Sequence, residues 1–334
     1  MNTINQVLCD INVGNPLSYE NLTLFPLLLE GLNESHYVTL DEAMRDKTVE
    51  VTEVDEDGDV PELLLRNDSD KPILILDGEE LIGAKQNRIV NLTILAPPKK
   101  TIKLPVSCVE RGRWAKNSDE FITSKRLHFA KGRSKKLKDV NLSMKTNQSY
   151  HSNQSEVWND ISDKAEALFC RSDTDAMSDI FEEHESSLDK YTHAFAATPL
   201  QVGAIFAINN QLCGLEIFDT AQTCHKLLPK LVQSYALDAI EEVAKQTSSP
   251  LNVDPLAGFM NEYNKASTEQ SPAIGLGNDV RINGGKLSGG GLIHNDALVH
   301  LCLFNDAENG DDTKEQSHTN IYSASIRSRN RKLH

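Results

Sequence analysis

The stretch TVEVTEVDEDGDVPELLL, residues 48–65, decides the fold class. Thr48 to Val54 alternates apolar and polar residues, the period of a half-buried strand, Asp57-Gly58 can take positive φ, and Val60 to Leu65 runs back. This pattern predicts an antiparallel hairpin. Downstream, Ile73-Leu74-Ile75-Leu76 meets Asp77-Gly78 and returns through Leu81-Ile82, which predicts a second one. Ile89 to Leu95 and Thr101 to Val109 read as further strands, separated by Pro97-Pro98, which cannot continue a central ladder. Residues 1–115 are therefore expected to form an antiparallel, β-sandwich-like unit.

Beyond it the period changes. Asn153 with Glu156 three residues later is a capping-box arrangement, and Val157, Trp158, Ile161, Ala165 and Leu168 form one helical stripe. Asp173 opens another helix with Met177, Ile180, Phe181, Leu188 and Tyr191 inward. Val202 to Ile208, Asn209-Asn210 and Leu212 to Phe218 make a hairpin, followed by a helix from Pro229 to Lys245. Asp254-Pro255 reads as an N-cap with proline at the first helical position. A Gly-rich run, Gly284 to Gly291, precedes a strand over Leu298 to Phe304. The fold class is thus α+β, with the β unit packed against a helix and hairpin unit over 153–305, a basic and polar connecting segment over 116–152, and a tail over 306–334 carrying Arg327, Arg329, Arg331 and Lys332. No flexible linker longer than the Asn/Ser/Gln-rich loop over 139–152 separates the units, so one integrated domain is also consistent with this pattern. ILDGEELIG, AINNQLCG and LIHNDALVH share a strand, turn and strand form, which antiparallel sheets commonly use and which does not establish a repeat.

The 334 residues carry 34 Lys+Arg against 49 Asp+Glu, a net charge of −15 that excludes a generally basic nucleic-acid coat. Residues 111–138 depart from this. They hold Arg111, Arg113, Lys116, Lys125, Arg126, Lys131, Arg133, Lys135, Lys136 and Lys138 against Asp119 and Glu120, a net +8 that leaves −23 for the rest. No apolar run approaches the ~20 residues of a membrane helix. The opening MNTINQVLCDINVGNPL has neither a basic n-region nor an apolar h-region, so a cytoplasmic location and no membrane partner are expected. Cysteines 9, 108, 170, 213, 224 and 302 include no C-x-x-C pair, and free thiols follow.

Several catalytic signatures fail on their spacing. His184-Glu185 begins like a zincin helix, but Leu188 stands where the second ligand belongs. Asp55, Asp57 and Asp59 imitate a calcium loop whose glycine is Val60 and whose bidentate acid is Arg66. Gly285-Lys286 continues into Leu287 rather than Ser or Thr, and Ser288 lacks the glycine of a nucleophile elbow. No metal site is expected.

Two segments carry chemistry that these failures do not touch. In Asp77-Gly-Glu-Glu-Leu-Ile-Gly-Ala-Lys-Gln-Asn-Arg88 four consecutive polar residues interrupt a strand just after two acids. Extended alternation would set Glu80, Gln86 and Arg88 on one face and Glu79, Lys85, Asn87 and Asn91 on the other. Amides read base or ribose edges, while Lys and Arg neutralise phosphate; a charged loop with internal ion pairs is the plainer alternative. The second segment is Pro105-Val-Ser-Cys-Val-Glu-Arg-Gly-Arg-Trp114. Glu110 is its candidate for acid–base work, Arg113 and Trp114 offer a guanidinium and an aromatic face, and Cys108 beside a carboxylate reads as a buried structural thiol.

Taken in order, GEELIGAKQNR, PVSCVERGRW, NQSEVW, VGAIFAINNQLCG and LVHLCLF resemble the prokaryotic ARG and rhodanese-phosphatase-superfamily-associated protein domain family, over most of the chain. The resemblance implies a link to ADP-ribose or nucleotide metabolism through association with ADP-ribosylglycohydrolases and phosphatase-like proteins, and no particular reaction. The leading expectation is a site for a phosphorylated nucleotide-type ligand such as ADP-ribose. Glu79, Glu80 and Glu110 are its candidate catalytic acids, and Lys85, Gln86, Asn87, Arg88, Arg113 and Trp114 its binding residues. Hydrolysis is left open, as is Mg²⁺ held through one or two acids plus ligand phosphates. The alternative is a non-catalytic interaction protein that docks a nucleic acid or an acidic partner through the basic island.

Overall fold

The computed structural model describes residues 3–30, 34–55, 61–245 and 254–305. Asp57-Gly58, Val60 and the tail over 306–334 lie outside the described residues. The chain is an α+β protein built on sheets that are antiparallel apart from the short parallel pairing of Val38–Thr39 with Ile73–Ile75.

Six strands of the first part form one sheet in the order Phe121–Leu127, Glu79–Gly83, Arg88–Val90, Lys100–Cys108, Glu62–Asn67 and Val49–Glu53. Val49–Glu53 pairs with Glu62–Asn67 as the hairpin pattern predicts. The two edge strands of this sheet also approach each other, so it curls into a half-barrel. Val51, Leu63, Leu65, Leu81, Val90, Leu104 and Val106 fill the concave side, together with Ile73, Ile75 and Ile94 of a small sheet made from Ile94–Ala96, Ile73–Ile75 and Val38–Thr39. Two sheets around one apolar layer give the sandwich-like unit. The expected hairpin between Ile73–Leu76 and Leu81–Ile82 does not form. Ile73–Ile75 pairs with Ile94–Ala96 instead, while Glu79–Gly83 pairs with Arg88–Val90 and Phe121–Leu127. Gly78, at φ +82°, turns the chain from one sheet into the other rather than back on itself.

The second sheet has nine strands, and Leu22–Leu28 from the start of the chain pairs there with Gln201–Ile208. Its neighbours run on through Gln211–Phe218, Ala297–Asn305, Leu287–His294, Asn278–Gly284 and Ser267–Pro272. Both faces are covered. One packs on the Ala221–Glu242, Glu185–Ala194 and Ala130–Asn147 helices, the other on Thr3–Asp10 and Pro255–Tyr263. This double coverage is why Gln201–Ile208 is apolar and buried along its length rather than alternating. Asn209-Asn210 and Asn295-Asp296 all take φ between +50° and +62°, closing two tight hairpins of the expected kind.

The connecting segment folds in ways its polarity hides. Residues 121–127 are a strand and Ala130–Asn147 is an 18-residue helix, so most of the stretch from 139 expected as a loop is helical. The helix expected to open at Pro229 starts eight residues earlier: the Thr220 hydroxyl caps it by accepting from the Thr223 N–H, and Pro229 sits in its interior. The Asp173 helix begins at Met177, with its predicted apolar residues buried across two short helices. Asp254 and Pro255 cap and open their helix as expected. Among the described residues, no helix is long and apolar enough to cross a membrane.

Gly214 lets the sheet and the long helix approach closely. A Cβ there would overlap the Tyr235 hydroxyl, and the Tyr235 ring is buried and stacked on Phe206 with centroids 3.9 Å apart. Gly214→Ala is expected to lower stability by about 1–3 kcal/mol, the range for overpacking, measured by urea denaturation.

Candidate functional site

The polar run 84–87 is a turn between Glu79–Gly83 and Arg88–Val90, not a continuation of a strand. Gly83 at φ +138° and Ala84 at φ +41° bend it. Three of the predicted residues lock it in place. Arg113 donates from Nε to Glu110 Oε1 at 2.8 Å and from Nη2 to Glu110 Oε2 at 2.6 Å, a fork that also reaches the Ala84 carbonyl at 2.7 Å and Asn87 Oδ1 at 3.1 Å. The Asn87 N–H donates back to Glu110 Oε2 at 3.1 Å. Burial pushes the Glu110 carboxyl up, but Arg113 and the Asn87 N–H outweigh it and hold the group below its ordinary range. Glu110, Asn87 and Arg113 thus form a clamp in which the acid stays ionised.

Lys85, Gln86, Arg88 and Trp114 meet on the other side of the turn. Leu81 and Cys108 stand opposite Arg88 in register, so Arg88 points into the concave side of the curled sheet, at its mouth. Its side chain is 0 % exposed. Nη1 donates to Gln86 Oε1 at 3.0 Å, whereas Nε and Nη2 are buried without a hydrogen-bond partner. No ion pair joins Arg88 to Glu79, Glu80 or Glu110. Trp114, half exposed, lies with its ring centroid 5.8 Å from the guanidinium carbon and 5.5 Å from the Lys85 ammonium.

Glu53 belongs here too, and nothing in the sequence singled it out. Its Oε1 accepts from the Lys85 N–H at 3.4 Å, and its Oε2 is buried with no partner. The Cys108 thiol lies near both groups: burial above all pushes it up, Arg88 pulls it down and Glu53 pushes it up, to about 11 in all. Only the curl of the sheet brings an edge-strand acid to this turn. Strand alternation alone carries no signal of that.

Glu79 and Glu80 lie elsewhere. Glu79 is fixed by Lys230 at 2.5 Å and by the Leu76 N–H at 3.0 Å, and Lys230 also holds Asp41 at 2.8 Å. Glu80 stands opposite Ile89, whose side chain joins the helix-side core, so Glu80 and Arg88 face opposite sides of the sheet. The turn breaks the alternation that had set them on one face. Phe121–Leu127 bulges opposite Glu80, with Lys125 at φ +62°. Both Glu80 oxygens are buried without hydrogen-bond geometry to a partner. Burial pushes this carboxyl to about 7, against a smaller pull from Ser124 and Arg126 and with a further push from Glu182 and Glu110.

The basic segment is divided: Arg111, Lys116, Lys125 and Lys135 are exposed, while two of its cations turn fully inward. Arg133 and Lys136 are buried, Arg133 donating to Glu216 at 2.7 Å and lying 3.3 Å from Asp77, and Lys136 pairing with Asp77. Arg113, Lys116, Arg126, Lys131 and Lys135 pair with Glu110, Asp119, Glu182, Glu242 and Asp160. Glu216 continues to His300 Nε2 at 3.0 Å and His300 Nδ1 to the Thr93 hydroxyl at 2.9 Å. That order matches a carboxylate–imidazole–hydroxyl triad, but all three residues are buried and Thr93 Oγ1 already accepts from the Asp77 N–H at 3.1 Å. It is an internal strut. Arg133 keeps Glu216 ionised against burial, and Lys136 and Arg133 do so for Asp77. Among the described residues, no group of three or more His, Cys, Asp or Glu is placed to hold a metal ion.

The family model of the ARG and Rhodanese-Phosphatase-superfamily-associated Protein domain matches residues 10–304, and the chain belongs to this family. No curated protein and no solved structure matches it.

Two expectations follow. Arg133→Met leaves Asp77 and Glu216 with less compensation and is expected to cost about 3–5 kcal/mol, read by denaturant titration. Glu80 tests the outer face by pH. Between its ordinary 4.5 and about 7 the folded chain holds a proton that the unfolded chain has released, so rising pH lowers stability across that window. Glu80→Gln is expected to flatten this fall between pH 5 and 8 in thermal melts; equal slopes for both proteins would place Glu80 in water.

Proposed function

We propose that this chain binds a small phosphorylated nucleotide-type ligand, ADP-ribose or a relative, at the mouth of the curled sheet. Arg88 takes the phosphate, and Trp114 offers a stacking face. The observation that carries this is the buried Arg88 guanidinium with two donors, Nε and Nη2, that meet no acceptor. An unpaired buried donor costs about 1–3 kcal/mol, more for a charged group. A phosphate or carboxylate oxygen pair matches the planar fork of an arginine. Lys85 adds positive charge beside the Trp114 ring. Stacking of a base on such a ring is worth about 1–3 kcal/mol. Trp114 lies over Arg88, so the ligand enters as the indole swings aside.

Binding, rather than hydrolysis, is what the arrangement favours. Glu110 is held ionised by Arg113, Glu79 is fixed by Lys230, and Glu80, the carboxyl poised near neutrality, faces away from Arg88. Docking of a nucleic acid or an acidic partner through residues 111–138 has less to draw on, because at least seven of its ten basic side chains are paired within the chain.

Calorimetry with ADP-ribose, NAD, AMP and cyclic nucleotides, with and without Mg²⁺, is expected to give saturable heat for at least one of them. Arg88→Ala is expected to weaken that binding at least tenfold, about 1.4 kcal/mol, while thermal denaturation stays near wild type. Lys100, exposed on the same sheet, is the control, since Lys131 is tied to Glu242. Heat from none of these ligands, or an Arg88→Ala chain that unfolds, would remove the support for an anion site.

A further inference from the structure

Glu53 Oε2 and Arg88 Nε and Nη2 are three buried polar atoms of one mouth, none of them hydrogen-bonded. The two side chains form no ion pair with each other, although both lie on the concave face, Glu53 opposite Leu63 and Arg88 opposite Leu81. Glu53 is tied to the turn through the Lys85 N–H, so its free oxygen is held beside the same walls as Arg88 rather than swinging into water.

We infer that this mouth recognises a phosphorylated ribose, Arg88 taking a phosphate oxygen and Glu53 accepting from the sugar hydroxyls. The inference rests on the ligand reading above and names the part of the ligand that sits deepest. A bare phosphate satisfies Arg88 but sets its own charge against Glu53. A ligand ammonium would satisfy Glu53 but would add a cation beside Lys85 and Arg88. Neutral hydroxyl donors next to a phosphate answer both groups, and a carboxylate taking ribose hydroxyls is an established way to read that sugar. A site built to receive a hydroxyl discriminates strongly against the analogue that lacks it, because a buried acceptor is then left unpaired. Trp114, at the rim, is placed for the sugar face or a base beyond it.

The test titrates the full chain with inorganic phosphate, ribose 5-phosphate and 2-deoxyribose 5-phosphate, following heat and tryptophan fluorescence. Wild type is expected to prefer ribose 5-phosphate over the deoxy sugar by about tenfold or more. Glu53→Gln, close to isosteric, is expected to bring that preference down to about two- to threefold and to leave inorganic phosphate binding equal or tighter. Glu53→Asp, which keeps the charge and shortens the reach, is expected to lose the preference as well, and thermal melts establish that both variants are folded. If phosphate binds through Arg88 but folded Glu53 variants keep the full preference, the sugar assignment is overturned and the anion site stands. If no phosphate compound binds wild type, the anion site fails and the sugar assignment with it.

Discussion

Arg133 and Lys136, one helical turn apart on Ala130–Asn147, reach across the molecule to Asp77 at the root of the curled sheet and to Glu216 in the middle of the large one. Stripping such charges of water costs several kcal/mol per ion, which is recovered only when every partner is in place. The two sheets are therefore fixed relative to each other by an arrangement with little tolerance, in which His300 and Thr93 continue the chain of contacts from Glu216 back to Asp77. An apolar seam could have slid. An ionic one with directed hydrogen bonds sets the register.

The long Ala221–Glu242 helix repeats this logic on its own flank. Lys230 faces Glu79 and Asp41 of the first unit, Asp238 takes Lys164 at 2.6 Å, and Glu242 takes Lys131. Arg133 and Lys136, which read in sequence as part of a solvated island, are thus bolts between a helix and the sheets. Their acids lie 56 to 83 positions away, which no local charge count contains.

The legible parts of the fold are those fixed by local chemistry. The Asn209-Asn210 hairpin follows from two residues that tolerate positive φ, and the Asp254-Pro255 helix start from a side-chain cap and a fixed proline φ. In the site, the sequence singles out both Glu110 and Arg113 but not the bond between them, which ties up the very groups expected to meet a ligand. What failed to show was whatever the curl or the turn decides. The turn at 84–87 reverses the face on which Glu80 was expected, and Glu53 joins Arg88 only because one edge of the sheet bends towards the other. Pairings of that kind are set by the closure of a sheet rather than by spacing along a strand.

The contrast between the two buried charge clusters gives the mouth its meaning. Around Arg133, three donors face two carboxylates that are themselves tied to other groups, and the network is closed apart from one nitrogen, Arg133 Nη2. Around Arg88 the only direct acceptor among the described residues is a neutral amide, and two nitrogens and the Glu53 oxygen are left over. The deeper cluster pairs both its cations, Arg133 and Lys136, with carboxylates, whereas Arg88 has no carboxylate within ion-pair reach among the described residues. Leaving the two nitrogens and the Glu53 oxygen unpaired lowers stability, a loss that the proposed ligand would offset by supplying the missing partners. Leu81, Val90 and Val106 share the concave face with Arg88, and the Gln86 amide holds one nitrogen of its guanidinium. In the proposed site the guanidinium is already stripped of water, so the reorganisation that binding an anion requires falls on the Trp114 indole above it.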